Sequence, residues 1–136
     1  MITKEEMLKG KRYEDLIVEQ QTNFDKLYII INKLRELYNK PMIITNCVRT
    51  MEEHIEIYRK KGITDKSKIP MKSKHLYAQA IDIADSNLEL TNWLKNNPDI
   101  MQNLDIYCEL NNSNWCHVQI SPFGSYKPGN TRWFNP

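Results

Sequence analysis

Leu104-Asp-Ile-Tyr-Cys-Glu-Leu-Asn-Asn-Ser-Asn-Trp-Cys-His-Val-Gln-Ile120 is the stretch that decides the fold. Strand-like segments, Leu104–Glu109 and Trp115–Ile120, flank the polar Asn-Asn-Ser-Asn, which reads as the turn of a β-hairpin. With the turn centred on Ser113, Leu110 pairs with Cys116 and Glu109 lies directly across from His117. Side chains opposed in this way have Cβ atoms about 4.5–5.5 Å apart. A carboxylate and an imidazole therefore share one face, while Cys108 and Cys116 point to the other, toward a core.

Two more strands precede the hairpin. Ala80-Ile-Asp-Ile-Ala84 alternates, so Ile81 and Ile83 face one side and Asp82 the other. Met42-Ile-Ile-Thr45 is apolar and β-branched. Helix starts follow from a hydroxyl residue with an acid three positions on: Thr3…Glu6, Thr22…Asp25, Thr50…Glu53 and Ser86…Glu89. The first helix ends at Gly10 and the third at Gly62. The second places Phe24, Leu27, Ile31, Leu34 and Tyr38 on one face until Pro41. The fourth carries Leu90, Trp93 and Leu94 and stops before Pro98. Residues 62–72 and the tail from Ser121 onward read as loops. The expected class is α+β, a small antiparallel sheet flanked by helices.

At 136 residues the chain fits one domain spanning 1–136, with 1–21 as an N-terminal helical extension and 42–120 as the motif-bearing core. The net charge of +2 and the lack of a Lys/Arg tract argue against nucleic acid as a partner. The longest apolar run, Leu27–Ile31, is too short for membrane insertion. Acidic residues near Met1 stand where a signal peptide needs basic ones, so cytoplasmic synthesis is expected. Three cysteines without CxxC spacing indicate neither a disulfide framework nor a Cys-rich zinc cluster. No coiled-coil seam is visible, and a monomer is expected.

His75 and Asp82 have six residues between them, and His117 comes from the last hairpin strand. A lone His is more often a surface or core residue than a ligand, and the spacing arises easily by chance. Converging, the three would form a zinc tripod with one position open, since zinc accepts imidazole nitrogen and carboxylate oxygen. Glu109 beside His117 is the candidate general base. Arg49, between the first strand and the helix capped by Thr50, taken alone reads as a surface ion-pair partner.

As a set, these residues resemble the zinc D-alanyl-D-alanine carboxypeptidase family, which includes vancomycin-resistance dipeptidases and phage L-alanyl-D-glutamate endolysins and has a hedgehog-like fold. The family motif Ser-x-His-x-x-Gly-x-Ala-x-Asp is met by Ser73, His75, Ala80 and Asp82, with Ala78 in place of Gly. Val48-Arg49-Thr50 is similar to the family's Tyr-Arg-Ser/Thr, and Trp115-Cys116-His117 to its terminal aromatic-x-His. Glu109 precedes His117 by eight residues, where two or three is usual.

The resemblance implies zinc as cofactor, held by His75, Asp82 and His117. It implies Glu109 as base, Arg49 as oxyanion or carboxylate clamp, and Ser73 as a substrate hydrogen-bonding group. The substrate would be a peptidoglycan stem peptide, cut by carboxypeptidase or endopeptidase action. The setting would be phage lysis after holin-type release, or a host cytoplasmic dipeptidase. The alternatives are a non-catalytic zinc-containing wall-binding or phage structural module, and a plain interaction domain in which these residues never meet.

Overall fold

A computed structural model describes residues 1–136. Five helices and a five-stranded sheet make an α+β fold. The helices are α1 (Lys4–Leu8), α2 (Val18–Tyr38), α3 (Met51–Lys60), α4 (Glu89–Lys95) and α5 (Pro98–Leu104). The strands are β1 (Ile44–Asn46), β2 (Ala80–Ala84), β3 (Tyr107–Glu109), β4 (Trp115–Gln119) and β5 (Trp133–Phe134). Sheet order is β1-β2-β4-β3-β5.

The sheet is mixed, not wholly antiparallel: β5 runs parallel to β3. This corrects the expectation of an antiparallel sheet and of a wholly looped tail. Backbone bonds from Cys108 N to Arg132 O (3.0 Å) and from Leu110 N to Phe134 O (2.7 Å) fasten the tail as an edge strand. Two residues are too few to show a period in sequence.

Thr3 and Thr50 cap α1 and α3 through capping boxes with Glu6 and Glu53, as expected. Helix α2 begins four residues before Thr22. The side chain of Gln20 accepts a bond from Ile17 N at 3.1 Å, while the Thr22 hydroxyl bonds back to Val18 O within the helix. Helix α4 is capped by Asp85 rather than Ser86. The Asp85 carboxylate accepts from Leu90 N (3.0 Å) and Thr91 N (2.9 Å), filling donors that the first turn leaves open. Helix α5 follows at once, with Pro98 at its start, where a missing N–H costs nothing.

The face of α2 made by Phe24, Leu27, Ile31, Leu34 and Tyr38 is buried, as its spacing predicts. It shares one core with Ile81 and Ile83 of β2, Cys108 of β3, Cys116 and Val118 of β4, and Leu90, Leu94 and Met101 of α4 and α5. Ile2, Met7, Leu8 and Leu16 from the N-terminal segment join the same cluster. Burying each such side chain stabilises the fold by roughly 1.5–3 kcal/mol. The three cysteines are buried and unpaired. Burial pushes the Cys47 thiol up to about 12. No helix is long and apolar enough to cross a membrane.

With one sheet face packed on the helices, the residues of opposite parity on the central strands are left facing outward. Among those residues are Asp82, Glu109, His117 and Gln119.

Candidate metal centre

Strand register builds the site. Asp82 on β2 pairs directly with His117 on β4. The β3–β4 register, Tyr107 with Gln119 and Cys108 with Val118, carries on to set Glu109 opposite His117. On the other side Asp82 pairs with Asn46. Asp82, His117 and Glu109 thus form one row across three neighbouring strands, as the hairpin reading requires.

His75 reaches this row from a short 3-10 turn, Lys74–Tyr77, that leads into β2. The turn is pinned from two sides. Arg49 N donates to His75 O at 3.0 Å, and Gln20 Nε2, from α2, donates to Leu76 O at 2.9 Å. The turn ends on Ala78, which is fully buried with φ 56° and ψ 34° in the left-handed region. A Cβ there costs roughly 1–2 kcal/mol, which explains physically why glycine suits this position.

His75, Asp82 and His117 offer ligand atoms that all lie within 4.8 Å of one another. Asp82 Oδ1 is 2.8 Å from His117 Nδ1, and Oδ2 is 3.3 Å from His75 Nε2. The second nitrogen of each ring decides what these contacts are. His75 Nδ1 is 2.6 Å from the carbonyl of Cys47, which can only accept, so Nδ1 carries the proton. His117 Nε2 is 3.0 Å from Gln119 Oε1, whose orientation is fixed because Gln119 Nε2 donates to Ser121 O at 2.8 Å. His117 therefore donates from Nε2.

With those protons on the far nitrogens, a neutral ring at either position aims a lone pair at a carboxylate oxygen of Asp82. Three acceptors converging in a pocket with His75 only 5% and His117 8% exposed need positive charge between them. Protons can supply it, and so can a metal ion. The group can hold a metal ion. Imidazoles fixed by a carbonyl and a carboxamide on their far side are the usual arrangement of ligating histidines.

Electrostatics agree. Burial alone would raise Asp82, but hydrogen bonding to His117 and His75 and their charge hold its carboxyl far below the ordinary range. Burial alone would lower His117, yet its bond to Asp82, the Asp82 charge and the bond to Gln119 leave it raised. Glu109 is raised, chiefly by burial and then by the Asp82 charge against the lowering influence of His117. A carboxyl moved toward neutrality beside such a cluster is suited to proton transfer.

The row opens into a cleft of about 1000 Å³ whose lining includes all six residues singled out from sequence: Arg49, Ser73, His75, Asp82, Glu109 and His117. Arg49 is not the surface ion-pair partner that it resembles alone, for it makes no ion pair. Its Nη1 donates to Ser73 Oγ at 3.5 Å and stands 3.2 Å from His54 Nδ1.

Four supporting groups are illegible from motif spacing. His54 is fully buried; its Nε2 lies 2.5 Å from the carbonyl of Pro70, so it donates there and leaves Nδ1 to accept from Arg49. The Cys47 carbonyl serves the site where its thiol does not. Asn112, with its amide turned to satisfy both neighbours, donates to Glu109 Oε1 at 2.9 Å and accepts from Trp115 Nε1 at 3.2 Å. Phe134, from the tail, packs edge-on to His117 with ring centroids 6.0 Å apart. Gln119 alone had a signal, two residues beyond His117 on the same strand face.

Comparisons with protein-family models, with curated proteins and with solved structures return no significant match.

Proposed function

We propose that the protein is a zinc peptidase acting on peptidoglycan stem peptides. The observation that carries the metal and its use is the convergence of two imidazole lone pairs and one carboxylate beside a base-capable glutamate. The stem-peptide substrate is supported by the order Arg49, Ser73-x-His75, Asp82, Trp115-x-His117, which resembles the zinc D-alanyl-D-alanine carboxypeptidase family. A non-catalytic zinc module would have no need of an unpaired arginine and a raised glutamate in the same cleft.

Zinc, held by His75 Nε2, Asp82 and His117 Nδ1, would supply a Lewis acid for the scissile carbonyl and bring the pKa of a water to about 7. Glu109 takes a proton from the attacking water and returns it to the leaving amine. Asn112 holds one carboxylate oxygen of Glu109 and leaves the other free for that transfer. Arg49 clamps the developing oxyanion or a substrate carboxylate, a task matched to the planar guanidinium. Ser73, at Arg49 Nη1, orients the guanidinium or bonds the peptide.

The test is digestion of purified peptidoglycan with and without chelator, reading new amine termini and muropeptide masses. Zinc-dependent release of stem peptides is expected. Stoichiometric zinc with no peptide bond cut in any peptidoglycan would overturn the reading in favour of the non-catalytic module.

A further inference from the structure

The cleft is two-sided in charge. One wall, formed by the residues flanking α3 and the segment leading to His75, contributes Arg49, Lys61, Lys72 and Lys74. The opposite side contributes Trp115, Phe123 and Phe134. None of the four cations makes an ion pair. Of the acids on or near their own elements, Glu53 pairs with Lys11, Glu56 with Arg59, and Asp65 bonds Ser67, while Glu52, exposed at the start of α3, does not line the cleft. The acidic side chains lining the cleft are Asp82, turned to the two imidazoles, and Glu109. In a chain whose net charge is only +2, this gathers unmatched positive charge along one side of a single groove.

Like charges lining a groove focus its field and draw oppositely charged ligands to it. Arg49 anchors the wall at its deep end, half-buried and held by His54. The three lysines extend the positive charge outward, Lys61 lying over the Tyr58 ring at 4.9 Å. The aromatic residues of the lining add no cation of their own.

We propose that Lys61, Lys72 and Lys74, together with Arg49, select peptides carrying more than one free carboxylate, so that amidation of those carboxylates removes a substrate from this enzyme's range. The inference rests on the peptidase reading and deepens it by naming the ionic form of peptide that the cleft takes.

Two synthetic stem pentapeptides test it, one with the D-glutamate α-carboxyl and the C-terminus free, the other with both as amides. Binding to the zinc-loaded full chain is read by calorimetry, and cleavage by mass spectrometry. The free-carboxyl peptide is expected to bind more tightly. That advantage should shrink with added salt. Each Lys→Gln change should weaken it by roughly two- to fivefold, and the triple variant K61Q/K72Q/K74Q should bring the two peptides close together. Equal binding of the twins by the unaltered protein, or a preference that survives the triple change, overturns the proposal. A free-carboxyl preference in binding with neither peptide cut would sustain the wall and sink the peptidase. Equal cleavage of both would do the reverse, and binding of neither overturns both.

Discussion

Gln119 Oε1 stands 3.0 Å from His117 Nε2, and this contact places the ring proton on Nε2, away from the Nδ1 that faces Asp82. Without it, the proton is free to move to Nδ1, where it bonds Asp82 and removes the lone pair from the site. Gln119→Leu should therefore keep the fold but weaken zinc binding by about 10–100-fold. Competition with a chromogenic chelator reads this, and unchanged affinity would show that Gln119 plays no part in holding the ring.

Asp82→Ala and His117→Ala should abolish stoichiometric zinc and peptide cleavage together. Elemental analysis beside a turnover assay checks both in one preparation. Full activity in metal-free Asp82→Ala protein would end the mechanism.

Glu109→Gln should retain zinc and lose turnover by about 10²–10⁴-fold, the usual contribution of a positioned base. Because Glu109 is raised and must be ionised to accept a proton, the acid limb of kcat/KM should lie above the ordinary glutamate range of about 4.3. An unchanged rate in the Gln variant would assign the base elsewhere.

A metal ion held by this group would compete with a proton at His117. Its folded-state pKa is raised, so in metal-free protein its stabilising contribution is full below the unfolded value of about 6.5 and is lost as pH rises through the folded one. Asp82 is depressed, so its contribution is present above about 3.9 and disappears as pH falls through its folded value. Metal-free protein should thus have its highest Tm between roughly pH 4 and 6.5. Zinc binding at about pH 6 should release a proton, and its stabilisation should grow toward pH 8. Calorimetry in buffers of different ionisation enthalpy counts that proton, and none released would contradict the lone-pair geometry.

His54→Ala should lower kcat/KM by roughly 10–100-fold through loss of a hydrogen bond to a charged group, with zinc content unchanged. His54→Gln, whose amide can donate to Pro70 O and accept from Arg49, should recover much of it. Failure of Gln to rescue would mean that the ring matters for packing alone.

The row of Asp82, His117 and Glu109 was legible because strand parity and a short polar turn leave a hairpin few registers. The cleft's supporting shell was not. His54 sits one and a half helical turns from Arg49, and nothing in the spacing says that the two side chains meet. Ala78 looks like a packing position in sequence, whereas its backbone twist is what the site uses. Strand β5 escaped because Trp133–Phe134 gains its identity from the partner strand and not from its own pattern. The start of α2 was misplaced because a Thr-x-x-Asp pattern also occurs inside helices, while Gln20 supplies the bonds at the true end.

Gln20 uses one end of its carboxamide to finish the first turn of α2 and the other to hold the carbonyl of Leu76, 56 positions away. The longest helix and the loop bearing His75 consequently share a hinge pin, and loosening either frees the other. An ion bound at the site should then be felt as slower amide exchange at the beginning of α2, far from the cleft mouth, making that helix end a remote gauge of how fully the site is occupied.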